Sequence, residues 1–379
     1  MANTFSFVGK IMTIKDKDNF KGYEERVFES GWMNQRLRFN LVAADNRHLI
    51  EINAGRWQDD KKNSVIYTMS KATEGKKSES IQIPWNERNS QENIDRVAGY
   101  RLFTVDTDTY SHRRELEDNG EDEALEASKK KRKHFIAGTD FCDWAKKVVY
   151  SDKAKDMVFR VSGVINYTYS AKNGMYYQTY EATKITRVDD NTDPSSEVNI
   201  DFYFAEGAVD TDSYDETGKA IVNGYTKFYD GMTKKNWFAP ISLAIRGETD
   251  EKGKKRLAGW ERVFSKFDDD EIRKIGLSCQ SIDGAQRQDI KFEDLDEDTQ
   301  ANIECGLIEL EDAIRDAGGQ MYGDRIQEIR IEKLGRNWSK GSETTAFTVE
   351  DCNKKPCKEE PVVDIFADED DDSDEYDDI

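Results

Sequence analysis

Asn166-Tyr-Thr-Tyr-Ser-Ala-Lys-Asn-Gly-Met-Tyr-Tyr-Gln-Thr-Tyr180 alternates aromatic and polar side chains on either side of an Asn-Gly pair. The alternation has the period of two that marks a strand. Asn-Gly is a favoured two-residue hairpin turn because both positions accept positive φ. With Asn173-Gly174 as the turn, Lys172 faces Met175, Ala171 faces Tyr176, Tyr169 faces Gln178 and Tyr167 faces Tyr180. Tyr167, Tyr169, Tyr176 and Tyr180 then share one face of one hairpin. That face reads in two ways. Rings on a sheet hold unstacked bases at roughly 1–3 kcal/mol per base. Equally, Val161, Gly163 and Ile165 are in phase with Tyr167, and tyrosine is a common half-buried strand residue, so the same face reads as core.

Upstream, Phe159-Arg-Val-Ser-Gly-Val-Ile165 parallels the opening Phe5-Ser-Phe-Val-Gly-Lys-Ile11, each with a glycine two residues before an isoleucine. A glycine inside a strand marks a sharp bend or bulge, which a small closed barrel needs at its corners. The pair is what two copies of one barrel would leave. In the first segment Leu37, Phe39 and Leu41 alternate with Arg36, Arg38 and Asn40, a half-buried strand. Further short strands are expected near 48–53, 65–69, 80–84 and 101–105, at the spacing of a barrel or sandwich. Residues 111–134 are densely charged and read as a linker ending in Lys129-Lys-Lys-Arg-Lys-His134. From about 248 the pattern shifts: Asp268–Ile275 and Glu297–Asp316 read as helices, the second burying Ile303, Leu307, Leu310 and Ile314 and stopping at Gly318-Gly319, and Arg325–Leu334 reads as a strand.

The expected fold is therefore mainly β. Two small barrels, 1–110 and 135–247, flank the charged linker 111–134; a mixed α/β unit (248–350) and a disordered acidic tail (351–379) follow. With 379 residues, 36% hydrophobic and 11% aromatic, the chain can build several small cores. No apolar run approaches the ~20 residues of a membrane span, and no secretion signal is visible. Five scattered cysteines (Cys142, Cys279, Cys305, Cys352, Cys357) fit reduced thiols better than a disulfide framework. A cytoplasmic protein is expected.

The net charge of −21 is unevenly spread. Residues 1–247 are near balance, with 37 basic against 39 acidic side chains, whereas Glu359–Ile379 holds 12 acidic residues and no basic one. The global charge therefore says little about the front half, where basic and aromatic side chains interleave in several places. Trp32, Arg36, Arg38 and Asn40 share one strand face, suited to phosphates and one base or simply to solvent. Lys130, Lys131 and Arg132 lie in the basic run, suited to phosphate contact from an exposed loop. Lys172 sits at the hairpin turn. Lys227-Phe-Tyr229 with Lys234-Lys-Asn-Trp-Phe238 adds Lys234 and Trp237.

The tail, Pro361-Val-Val-Asp-Ile-Phe-Ala-Asp-Glu-Asp-Asp-Asp-Ser-Asp-Glu-Tyr-Asp-Asp-Ile379, cannot fold alone, because like charges repel and little apolar surface is available. Its sparse anchors, Ile365, Phe366, Tyr376 and Ile379, suit docking into a basic-rimmed pocket on another protein. It is also suited to lie on the protein's own basic groove until DNA displaces it. Small oligonucleotide-binding (OB) barrels followed by an acidic tail with a hydrophobic last residue resemble the single-stranded DNA-binding proteins of bacteria and bacteriophages. The chain departs from the typical bacterial member in its greater length, its terminal Ile in place of Phe and its extra α/β unit, and a large phage protein of this class fits best. The resemblance implies sequence-independent binding and protection of single-stranded DNA in replication or recombination. It makes the hairpin tyrosines the stacking set, and Asp377, Asp378 and Ile379 the terminal element that recruits replication or recombination proteins.

Catalysis is not expected, nor is a cofactor or a metal. His48, His112 and His134 show no zinc or triad spacing, and no phosphate-binding Gly loop or Gly-x-Ser-x-Gly elbow occurs. Asp106-Thr-Asp108 is a chance-level match to a two-metal site. Asp210–Gly218 lacks the sixth-position glycine and closing glutamate of a calcium loop. Two other classes stay open: an acidic DNA mimic that inhibits a host nucleic-acid enzyme, and a phage structural or assembly protein.

Overall fold

The computed structural model describes residues 3–17, 20–73, 75–247, 249–265, 271–289, 292, 295–316, 320–335 and 342–356. The chain is mainly β. It opens with β1 (Thr4–Thr13), β2 (Tyr23–Val27), β3 (Trp32–Ala43) and β4 (Asn46–Trp57). The alternation in β3 does what it promised: Leu37, Phe39 and Leu41 are fully buried. An insertion follows, with β5 (Val65–Met69), β6 (Ser80–Pro84), α1 (Gln91–Arg96), β7 (Phe103–Asp106), α2 (Tyr110–Asp118), α3 (Asp122–Lys129) and β8 (Arg132–Phe135). The amphipathic α4 (Gly138–Val149) then buries Phe141, Cys142, Ala145 and Val149 against the barrel.

β9 (Val158–Ser170) and β10 (Met175–Arg187) close the first circuit. β1 pairs antiparallel with β3, and β3 with β4. β10 meets β4 in a short parallel contact, Tyr180 beside Ile50 and Glu181 beside Glu51. β9 pairs with β10 and returns to β1. The order β1-β3-β4-β10-β9-β1, with a helix between the third and fourth strands, is that of a five-stranded OB barrel.

The second half repeats the plan. β11 (Ser195–Phe204) is followed by β12 (Val209–Asp210), α5 (Tyr214–Thr217), β13 (Lys219–Asp230) and β14 (Lys235–Arg246). Next come α6 (Glu251–Val263), β15 (Arg273–Asp289), α7 (Glu297–Glu304), α8 (Leu310–Asp316), β16 (Gln320–Leu334), β17 (Glu343–Thr344) and α9 (Val349–Asn353). β11 pairs with β13, β13 with β14, β14 in parallel with β16, β16 with β15, and β15 with β11. This is a second circuit of the same order, with α6 in the place of α4.

The strand pairs run across the boundaries expected from sequence. β9 and β10 were expected in the second barrel and pair instead with β1 and β4. The two glycine-containing segments are thus partners in one barrel rather than equivalents in two. Residues 111–134 are not a linker: α2 and α3 are pinned by Arg113, which donates to both oxygens of the buried Asp106. The expected α/β unit supplies β15 and β16, the last two strands of the second circuit, whose upstream partners lie 69 to 86 residues away, where local periodicity cannot reach. Arg273–Ile275 is strand, not helix. The helix expected over 297–316 breaks at Gly306 (φ 70°), leaving Leu307 and Leu310 exposed.

The barrels share one sheet. The first half of β1 pairs with the first half of β11, from Thr4 opposite Asn199 to Val8 opposite Ser195. Beyond Gly9, β1 turns to β3, and β11 likewise turns to β13 at Phe202. Gly9 and Gly163 make these bends possible. A Cβ on Gly9 would lie 2.2 Å from the Val42 carbonyl oxygen, and one on Gly163 1.9 Å from that of Glu181. The β9–β10 register also shifts between Ala182 and Lys184, opposite Gly163. We therefore expect Gly163→Ala to destabilise the chain by about 1–3 kcal/mol or more, since only backbone can move aside. Gly99→Ala, where a Cβ meets nothing within 4 Å, should stay within about 0.5 kcal/mol of the parent. Urea unfolding of the full chain measures both, and equal effects would refute the crowding argument.

Candidate nucleic-acid interface

The hairpin pairs Met175 with Ser170, Tyr176 with Tyr169 and Gln178 with Tyr167, so its loop is the four residues Ala171–Gly174 rather than two. This register differs from the expected one by two residues, which leaves every side chain on its expected face. That face is core. Tyr167 and Tyr169 are 7% and 3% exposed, which leaves their rings no surface for a base. Tyr167 lies 6.4 Å from Phe228 of β13, and its hydroxyl donates to Gln178 Oε1 at 3.1 Å. Tyr180 packs edge-on to Phe5 and Phe7 and shares a 2.8 Å hydrogen bond with Ser281 of β15. Tyr176 is half-buried between Tyr169 and Phe228. As stacking residues Tyr167, Tyr169 and Tyr180 are thus corrected: they seal the seam between barrels.

The outer face of β3 is also occupied. Arg38 is buried, donating from Nε to Glu51 at 3.1 Å and from Nη1 to Glu24 at 3.2 Å, with Phe20 against its guanidinium at 4.9 Å. Arg36 donates to Asn53 at 3.0 Å and lies 3.9 Å from Glu51. A phosphate reaching Arg38 would have to displace carboxylates already in place, so the expectation of a free phosphate contact there is not met. Trp32 is half-buried, edge-on to Trp57 at 5.2 Å, and donates from Nε1 to Asn34 at 2.6 Å. Beside this cluster, burial, with the Glu51 carboxylate alongside, pushes the Glu181 carboxyl up to about 7. Asn166 donates to it.

The basic run splits in two. Lys131 pairs with Asp108 at 2.9 Å and Arg132 with Asp106 at 2.7 Å, so both serve to hold the insertion. Asp108 is held well below the usual carboxylate range by Lys131, Ser128 and its backbone partner, against the effect of its burial. Lys130 is exposed and, among the described residues, has no carboxylate partner.

At the hairpin ends the picture is different. Lys172, Lys234 and Lys235 are exposed and make no ion pair among the described residues. Two tyrosines point outward: Tyr177 of β10, which sequence reasoning passed over, is 47% exposed, and Tyr229 of β13, which it quoted within a cluster but did not select, is 62% exposed. The signal was present, since Tyr177 and Tyr229 have the opposite parity to the buried Tyr176 and Phe228. The two hairpins pack side by side through Tyr176 and Phe228, 6.1 Å apart. Trp237 is half-buried and donates to Thr233 at 2.8 Å, which braces the β13–β14 loop. The tail residues Ile365, Phe366, Asp377, Asp378 and Ile379 lie outside the described residues. No helix among the described residues is long and apolar enough to cross a membrane.

No protein-family profile and no curated protein matches the chain. Among solved structures it is similar to the single-stranded DNA binding protein from Thermus aquaticus, with 9% identity, a TM-score of 0.29, and 74% of this chain and 85% of that one covered. A deletion mutant of the same protein matches with 10% identity, the same TM-score, and coverage of 74% and 86%. The overlap is too slight to bear on what this chain does.

Two outcomes follow from the geometry. Tyr167→Ala should cost about 3–5 kcal/mol of stability as a core truncation, whereas Tyr177→Ala should cost no more than about 0.5; similar unfolding midpoints for the two would remove the core assignment. Glu181, raised in the folded state, keeps its proton where the unfolded chain has lost it. Its stabilisation is full below about pH 4.5 and is lost as pH rises through about 7. Glu181→Gln should therefore flatten the fall in melting temperature between pH 5 and 8, and a profile parallel to the parent's would count against the buried proton.

Proposed function

We propose that the chain binds single-stranded nucleic acid, foremost single-stranded DNA, without sequence preference, and acts by covering it. The observation that carries this reading is the pair of adjacent hairpin ends. Unpaired lysines at 172, 234 and 235 stand beside the outward rings of Tyr177 and Tyr229, at the seam of two OB barrels. Stacking on a ring is indifferent to base identity, because every base has a π-face, and ammonium groups track the backbone rather than the sequence. Single strands expose both features together; a duplex hides its base faces.

The acidic tail supports a role in replication or recombination. Its charge and sparse anchors, Ile365, Phe366 and the terminal Asp377-Asp378-Ile379, suit recruitment of a partner enzyme with a basic-rimmed pocket. Its charge has the same sign as that of the strand, so the two would compete for the same lysines.

Fluorescence anisotropy with a labelled oligo-dT, at two salt concentrations, tests the reading on the full chain and on a chain ending at Lys358. The full chain should bind oligo-dT better than duplex and more weakly at high salt, and the shortened chain should bind more tightly. Replacing Lys172, Lys234 and Lys235 by Ala should lower the salt slope by roughly 2, at about 0.7 per phosphate on a single strand. Tyr177→Ala with Tyr229→Ala should weaken binding about fivefold or more. Absence of binding by both chains would sink the proposal.

A further inference from the structure

A second cationic surface lies on the far side of the insertion, and neither the hairpin ends nor the outer face of β3 includes it. β8, the end of α3, α1 and one face of α4 enclose a groove of about 770 Å3. Trp144 of α4 lies in it, 38% exposed although it belongs to a helix whose other face is core. Lys133 and Lys147 approach its ring, with Nζ at 5.8 and 5.0 Å from the centroid, and Phe135 backs it at 6.2 Å.

The charges of the groove do not cancel. Of its three carboxylates, Glu126 is paired with Lys129 and Asp140 with Arg88 in a two-point contact, while Asp143 accepts from the Gln35 amide and keeps its charge. Lys130, Lys133 and Lys147 have no carboxylate partner among the described residues. Two ammonium groups thus lie over one partly exposed indole, and Lys130, Asn89 and Gln91 line the same groove. Keeping like charges this close is unfavourable unless an anion joins them.

We infer that this groove is a second single-strand site, separate from the hairpin ends, that holds phosphates on Lys130, Lys133 and Lys147 and one base on Trp144. The inference rests on the single-strand reading above and extends the track to the helix-capped side of the first barrel. A nucleic-acid strand fits better than an acidic peptide. Peptide anchors need an apolar pocket, and the one ring the groove exposes is Trp144, with Phe135 buried behind it and lysines around it. Base and phosphate alternate along a strand as ring and lysine do here. The insertion between β4 and α4 exists in the first barrel alone, since α6 follows β14 after only a few residues. The site is therefore an addition to the barrel plan rather than part of it.

Short and long oligo-dT, titrated with the full chain and two sets of variants, separate the possibilities. One set is Trp144→Ala alone and Lys130, Lys133 and Lys147 all replaced by Ala; the other is the hairpin set Lys172, Lys234 and Lys235. Circular dichroism checks that each variant is folded. Oligo-dT just long enough to bind should be held equally, within twofold, by the parent and the groove variants. On poly-dT the groove variants should occlude fewer nucleotides per chain, Trp144→Ala should bind about fivefold or more weakly, and the triple-lysine variant should lose roughly 2 from the salt slope. Groove variants that match the parent on poly-dT, while the hairpin set fails, would overturn this inference and leave the single-strand reading intact. Failure of the parent on every oligonucleotide would remove both. Loss of binding to poly-glutamate, with poly-dT unaffected, would reassign the groove to an acidic protein partner and overturn the inference.

Discussion

The pairing of β1 with β11 is the constraint on which the rest of the molecule depends. Each is the first strand of its own barrel, and each lends its first half to the other barrel before bending back to its own second strand. The arrangement is two-fold in character, antiparallel about Ser6 and Glu197. It turns two small barrels, each with an exposed sheet edge that would otherwise need protection, into one continuous sheet. Asn3 reinforces the joint from just outside β1. Its carbonyl accepts from Ile165, its side-chain oxygen from the Asp201 amide, and its amide donates to Thr226 at 2.6 Å. Three strands from both circuits are thus tied by the backbone and side chain of one buried residue.

Once the barrels are joined there, the remaining contacts between them must be satisfied at fixed positions, and the residues chosen are those with an apolar body and a polar tip. Tyr180 fills space between Phe5 and Phe7 and still reaches Ser281 in the other barrel. His48 stacks on Phe7 at 4.1 Å and reaches Ser196 at 2.7 Å, and its burial pulls its pKa down to about 4, so the ring stays neutral in the folded chain. Asn46 accepts from the backbone of Asp283. Leu or Ile at these positions would fill the volume and leave the facing polar groups without partners, which costs more than the hydrogen bond itself is worth. That is a structural reason for the tyrosine at 180.

It also explains where the amino-acid sequence was legible. Period-two alternation located β3, β5, β6 and the hairpin, and parity survived an error of two residues in register, because such a slip preserves the face. Alternation says which residues share a face and is silent on what that face meets. The meeting of Tyr167 with Phe228, sixty-one residues later, is a tertiary fact. The same limit misplaced the barrel boundary. In each circuit the closing strands are separated from the first three by an insertion or a helix, so the short parallel closures at Ile50–Glu51 and Leu243–Ala244 leave no local trace. The charged segment 111–134 was misread for the complementary reason. Its density of charge suggested solvent, yet Arg113, Lys131 and Arg132 spend that charge on Asp106 and Asp108 inside the fold.

The same accounting of paired and unpaired charge decides where a polyanion can settle on a chain whose net charge is −21. At about 0.15 M salt the screening length is roughly 8 Å, so a strand responds to the groups within a nucleotide or two of it and hardly to the sum. Guanidinium geometry alone would favour the β3 face, with its two arginines. Yet Glu51 and Glu24 already sit on Arg38, and a phosphate there would trade one anion for another while leaving a displaced carboxylate half-buried. Lysines without partners impose no such exchange. They stand at the hairpin ends and in the groove of α4, both on segments that protrude from the sandwiching sheet rather than lie across it. In this protein much of the barrels' surface is spent on holding the two halves together, and the lysines without ion pairs among the described residues stand on what the barrels carry.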